Sequence, residues 1–310
     1  MTYASGADDL ADIIEFIADG IIASSEDWVD GDTTWVTTDK EGDNARRCLK
    51  YSGDAANIWL ALEALNTSHT IGYISSYYRY AKGLRVTLSA SWDDIEHTYP
   101  VSNHQTFLSF ECRYRYSPVN ADLATLLITY YLWYDESGFA IIAKPEPDST
   151  DDQQSSFFLA VERVPAKEYA DGYTNFYVVA DLNMYEYFDN SYDGLQCRTY
   201  LRPFNFEYNP SDHASSSSFY NHGVNHQDYV RAMKSNGNGK AYYLKPIYQN
   251  EDGVNDPIAE AELWFGWLEE RGLIDGDIIA IEGETTKYLC KALDSPDSTN
   301  RLKYAIKSVA

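Results

Sequence analysis

The chain has six histidines, His69, His97, His104, His213, His222 and His226, and only the last two carry metal-like spacing, H-x-x-x-H, with His213 upstream. Residues four apart on a helix share a face, so two imidazoles there would grip a zinc ion from one side. Gly223 and the neighbouring Ser and Asn residues oppose a helix, and no Glu follows His222 to serve as the base of a zinc protease. Two histidines do not close a site, so the pattern reads as surface or interface histidines and no metal is expected.

Acid–base chemistry has one candidate pair. Glu260 and Glu262 flank Ala261, with Trp264 continuing the alternation, which on a strand sets acid, base and sugar platform on one face. The two Cα atoms would lie ~7 Å apart by strand rise. Glycoside hydrolysis also requires a cleft and one carboxyl with a raised pKa, so the plainer reading is a solvated acidic face beside an aromatic core residue. There is no G-x-S-x-G elbow and no dinucleotide fingerprint, and Gly237-Asn238-Gly239-Lys240 lacks the first glycine of a phosphate loop. The loops Asp30-Gly31-Asp32 and Asn250-Glu251-Asp252-Gly253 offer oxygen ligands for calcium, but neither has the EF-hand register, and turn chemistry accounts for both. No catalytic residue and no cofactor is expected.

Cys48, Cys112, Cys197 and Cys290 form no C-x-x-C pair and read as buried thiols rather than a disulfide framework. The formal net charge is −24, which opposes direct nucleic-acid binding because phosphate affinity comes from clustered Lys and Arg. It disfavours anionic membranes for the same reason. No run approaches the ~20 apolar residues of a membrane-spanning helix, so no membrane insertion is expected, and Asp8, Asp9 and Asp12 stand where a secretory signal carries positive charge.

The elements that would position any site are mostly strands. Twenty-seven Tyr, seven Trp and twelve Phe favour a pleated, half-buried surface and exclude disorder of the whole. Residues 8–22 have Leu10, Ile13, Ile14, Ile17 and Ile21 at helical spacing and predict an amphipathic helix. Strands are predicted at 34–37, 46–51, 57–62 and 84–92, the last with Arg85, Thr87, Ser89 and Ser91 on a wet face. The strongest period-two signal is 105–116. Residues 126–134 and 139–143 predict a hairpin turning at Gly138, followed by strands at 157–164 and 175–180. Further short strands are predicted at 241–247, 259–267, 277–282, 287–292 and 303–309.

The expected fold is mainly β with an N-terminal amphipathic helix, as β-sandwich or small β-barrel domains plus a long irregular arm. Residues 1–165 would form the helix and a sandwich-like domain, 166–240 an irregular connecting arm, and 241–310 a small C-terminal β-domain. Turn formers crowd the arm, including Ser215 to Ser218 and Ser235 to Gly239, and such long irregular segments are usually functional or assembly elements.

The closing run Gly272-Leu273-Ile274-Asp275-Gly276-Asp277-Ile278-Ile279-Ala280-Ile281-Glu282-Gly283, then Lys287-Tyr288-Leu289, resembles small β-domains of virion structural proteins of tailed bacteriophages, where a G-D-x-I turn leads into a strand. Phe139 to Ala143 with Phe157 to Glu162 is similar to paired strands of the same class. The resemblance implies a non-enzymatic tail, baseplate or neck component, a homo-oligomer partnered by copies of itself and other virion proteins. It places the protein in the virion, assembled in the host cytoplasm. The alternative is a glycan-binding or glycan-hydrolysing β-sandwich protein, such as one that binds a host receptor, with Trp35, Trp59 or Trp264 as sugar platforms.

Overall fold

The computed structural model describes residues 2–34, 45–53, 57–65, 83–89, 91–98, 104–108, 127–145, 157–163, 176–184, 196–203, 247–249, 257–265, 274–281, 283–292 and 303–308. Strand β1 (Thr2–Asp8) leads into helix α1 (Leu10–Ser24) and β2 (Trp28–Asp30). Strands β3 (Arg46–Tyr51), β4 (Ile58–Leu65), β5 (Gly83–Ser89) and β6 (His104–Leu108) follow, and with β2 they form an antiparallel sheet in the order β2-β3-β4-β5-β6. Next come β7 (Ile128–Asp135), β8 (Gly138–Pro145), β9 (Phe157–Arg163), β10 (Phe176–Met184) and β11 (Gln196–Pro203), which with β1 make a six-stranded sheet ordered β1-β7-β8-β9-β10-β11. A short pair, β12 (Ile247–Gln249) and β13 (Pro257–Glu260), precedes β14 (Trp264–Phe265), β15 (Ile278–Ala280), β16 (Lys287–Ala292) and β17 (Lys303–Ser308). These last four form a sheet ordered β14-β17-β16-β15. The fold is mainly β, with one helix among the described residues.

Helix α1 starts where Asp9 caps it, its carboxylate accepting the Asp12 amide at 3.0 Å. Its apolar stripe, Leu10, Ile13, Ile14, Ile17 and Ile21, is fully buried. One core joins that stripe to Leu49, Leu60, Leu62, Val86 and Leu88 of the five-stranded sheet and to Leu132, Phe139, Ile141, Leu159 and Val161 of the six-stranded sheet. Arg47, almost wholly buried, pairs with Asp19 of the helix. Asp8, expected at the helix start, instead ends β1. That strand's sequence, Thr-Tyr-Ala-Ser-Gly-Ala-Asp, has little strand pattern, and it is ordered by pairing along β7 from Thr2↔Tyr134 to Asp8↔Ile128.

The β7–β8 hairpin turns at Glu136-Ser137-Gly138. Asp135 caps the turn, accepting the Ser137 amide at 2.9 Å and the Trp133 indole N–H at 2.9 Å. Gly138 has φ +137°, and a Cβ there would stand 2.1 Å from the Val161 carbonyl oxygen, so no side chain fits.

The opposite face of the six-stranded sheet carries the C-terminal sheet. Glu162, fully buried, accepts the amides of Glu262 and Leu263 at 2.9 and 3.1 Å on one oxygen and the Trp264 indole N–H at 3.2 Å on the other. Beside it Phe158 stacks on Tyr304 at 4.2 Å and meets Trp264 at 5.1 Å. Lys291 lies 4.2 Å over the Tyr131 ring and Lys307 5.9 Å over Trp133.

Several sequence expectations change here. The strand expected over 259–267 is broken into β13 and β14, because Glu262 and Leu263 turn their amides toward Glu162 instead of a neighbouring strand. The strand expected to reach Trp92 stops at Ser89, whose hydroxyl donates to the Ser91 carbonyl at 2.7 Å and closes a local turn. Its expected wet face is dry at Thr87 and Ser89, both buried. Part of the expected arm at 166–240 is regular, contributing β10 and β11 to the six-stranded sheet. The segments 35–37, 109–116 and 241–246, expected as strands, lie outside the described residues.

Replacing Gly138 by Ala is expected to lower unfolding stability by about 2 kcal/mol or more, from backbone strain and the carbonyl clash. Urea denaturation checks it. A change within about 0.5 kcal/mol, the range of an ordinary surface substitution, would show that the turn relaxes freely.

Candidate functional site

The end of the five-stranded sheet at Lys50 and Trp59, on the face turned away from α1, holds a groove of about 790 Å³. Its floor is Lys50 and Trp59, directly opposite one another on β3 and β4, with the Lys50 ammonium 5.2 Å from the Trp59 ring centre. One wall is Val29, Asp30, Gly31 and Thr33. The other is Trp92, Asp93, Asp94, Ile95 and Thr98.

Both walls are built by short-range polar chemistry. The Gly31 amide donates to the Cys48 carbonyl at 2.8 Å, and a Cβ on Gly31 would lie 2.9 Å from the Leu49 carbonyl carbon, so glycine lets the chain cross β3 closely. Asp93 caps the second wall, accepting the Ile95 and Glu96 amides at 2.8 and 3.0 Å, and Asp93 and Thr98 bridge through their backbones. These backbone amides hold the Asp93 carboxyl below its usual value. The turn is completed by His97 at φ +50°, a left-handed conformation that His adopts more readily than most residues.

Asp32 joins the two walls. It is fully buried, and its Oδ1 accepts the Thr34 amide at 3.1 Å, with the Thr34 hydroxyl 2.8 Å away. Its Oδ2 accepts the Trp92 indole N–H at 2.7 Å and lies 2.8 Å from His97 Nδ1. Burial pushes the Asp32 carboxyl up, but the hydrogen bonds from His97, Trp92 and Thr34 outweigh it and hold the pKa below the ordinary value. An ionised carboxylate only accepts, so the imidazole nitrogen facing it carries the proton. The Trp92 ring is thereby fixed before any ligand arrives.

Of the three tryptophans expected as platforms, Trp59 lies in the groove. Trp264 does not serve: it is fully buried between Phe158 and Tyr304, its N–H spent on Glu162, and it has no face to offer a sugar. Trp35 lies outside the described residues. Trp92, placed by the alternation opposite the expected wet face, also lines the groove, and the sequence did not single it out. The signal available was the Asp-rich turn that follows it, Asp93-Asp94, after the serine that ends β5.

The Asp30-Gly31-Asp32 loop is turn chemistry, since the Asp32 carboxylate is occupied by protein donors. Among the described residues no group of three or more His, Cys, Asp or Glu is placed to hold a metal ion. Cys48 and Cys290 are buried and in no disulfide, and burial, with nearby Asp32, Asp30 and Asp94, pushes the Cys48 thiol up and away from reactivity. Glu260 ends β13 while Glu262 sits in the turn after it, so they share no strand face. His213, His222 and His226 lie outside the described residues, and no described helix is long and apolar enough to cross a membrane.

A second surface lies at β15, the edge of the C-terminal sheet. Ile278 on this strand is 52% exposed, and Ile274, in the turn before it, is 66% exposed, high values for large aliphatic side chains. The turn into this strand is well defined: Asp277 accepts the Ile274 amide at 2.8 Å, Gly276 takes φ +89°, and the Gly276 amide donates to the Cys290 carbonyl at 2.8 Å.

Asp32 makes stability pH-dependent with a defined sign. Its folded pKa is lowered, so its contribution is complete above the ordinary carboxylate pKa and is lost as acid protonates it, below about pH 4. Asp32→Asn is expected to cost about 2 kcal/mol at neutral pH, and thermal melts against pH should show the gap to the parent shrinking below about pH 4. A gap constant with pH would contradict the assignment. No family model and no curated protein matches this chain, so its functional reading rests on the sequence resemblance, the groove and the sheet edge.

Proposed function

We propose that this chain is a non-enzymatic structural protein of a tailed-phage virion, a tail, baseplate or neck component that builds a symmetric substructure from copies of itself and other virion proteins. The observation that carries the reading is the exposed apolar edge at β15, with Ile274 and Ile278 in water. A strand edge offers unpaired N–H and C=O groups to another chain, and aliphatic side chains beside it add the burial that makes such pairing stable. The G-D-x-I segment that resembles phage β-domains is the turn that delivers this edge, which supports the same reading. A cationic partner surface suits the formal net charge of −24.

A second reading, glycan recognition, is favoured by the groove with Trp59 and Trp92. The two are compatible in a virion protein that touches a host surface.

Light scattering of the purified chain, with electron microscopy of particles from its natural source, tests the assembly reading. The expected result is a ring or a particle-bound species. The double variant Ile274→Asp with Ile278→Asp should abolish the assembly while leaving the circular dichroism unchanged. A stable monomer absent from every particle would overturn the proposal.

A further inference from the structure

We infer that the groove between β2, β4 and the 92–98 turn is a binding site for an uncharged saccharide chain. This deepens the glycan reading above and is independent of assembly. Two indoles, Trp59 and Trp92, line one cavity of about 790 Å³, large enough for a short oligosaccharide. Flat aromatic faces match the C–H faces of pyranose rings, and the hydroxyls that ring the sugar need acceptors and donors at the rim. The groove supplies them in Asp30, Asp94, Thr33 and Thr98, with Lys50 as a donor on the floor.

Trp92 is preorganised. Its indole N–H is held by the buried Asp32 carboxylate at 2.7 Å, so ordering this platform costs little on binding. That carboxylate ties Thr34, Trp92 and His97 together around the groove wall.

The charges decide the ligand class. Among the described lining residues, Asp30, Asp93 and Asp94 against Lys50 make a net negative charge, which repels uronic or sialic acid residues. A cationic ligand meets the opposite obstacle, the like charge of the Lys50 ammonium on the groove floor beside Trp59. A neutral, hydroxyl-rich ring satisfies both constraints.

The test is titration calorimetry of the intact chain with maltohexaose and chitohexaose as neutral probes, an oligogalacturonate as the acidic probe and hexalysine as the cationic one. At least one neutral probe is expected to bind, with Trp59→Ala weakening it by about tenfold or more and Trp59→Phe by less. Thermal melts of both variants should match the parent, which separates lost binding from lost folding. Binding of only the acidic or the cationic probe would overturn the ligand class while leaving a ligand groove in place. Neutral binding unaffected by Trp59→Ala would overturn the site. Binding of none of the probes would overturn the inference together with the glycan reading, and the assembly reading would stand or fall on its own measurement.

Discussion

The buried carboxylate of Glu162 anchors the C-terminal sheet to the six-stranded sheet. It lies on β9 in the interior of the six-stranded sheet, fully out of water, and reaches across to two backbone amides and one indole N–H. Burying an ion is costly, and charge-assisted hydrogen bonds offset that cost only when donors converge from fixed positions. Those donors come from the turn at Glu262 and Leu263, and their geometry is set because Lys307 of β17 donates its amide to the Leu263 carbonyl at 3.0 Å. The polar contact therefore specifies how the sheets meet, while Phe158, Trp264 and Tyr304 supply the apolar area.

That arrangement buries β8 and β9 of the six-stranded sheet on both faces. One packs on α1 and the five-stranded sheet through an aliphatic core; the other packs on aromatic rings and long cations. The consequence for function is positional. Among the described residues, the candidate surfaces lie away from that junction: the groove on the face of the five-stranded sheet turned away from α1 and the aliphatic segment at β15. Asp32 works at the groove by the same means as Glu162, a buried carboxylate gathering donors from separate segments.

Much of the fold was legible wherever local pattern and tertiary demand agree. The helix stripe from Leu10 to Ile21, the hairpin turning at Gly138, and the strands at 157–163, 287–292 and 303–308 all carry their period or turn residue in plain view. The pattern misled where long-range partners decide. Strand β1 exists because β7 offers it an edge, and 261–263 turns because Glu162, some hundred residues away, draws its amides. The site was legible in part. Trp59 was a candidate from residue type alone, but Trp264 has the same type and is core, since exposure depends on which sheet covers which face. Trp92 and Asp32 were not separable from turn and core residues, because their meaning is a contact across sixty residues.

The claim that Glu162 welds the C-terminal sheet into the main fold is tested most directly by native-state hydrogen exchange at the amides of Glu262 and Leu263. The account predicts that both exchange only through global unfolding, with the same opening free energy as core amides of β8 and the same denaturant dependence. Exchange at those two amides through a smaller opening, with β8 still protected, would show that the C-terminal sheet detaches on its own and would contradict it.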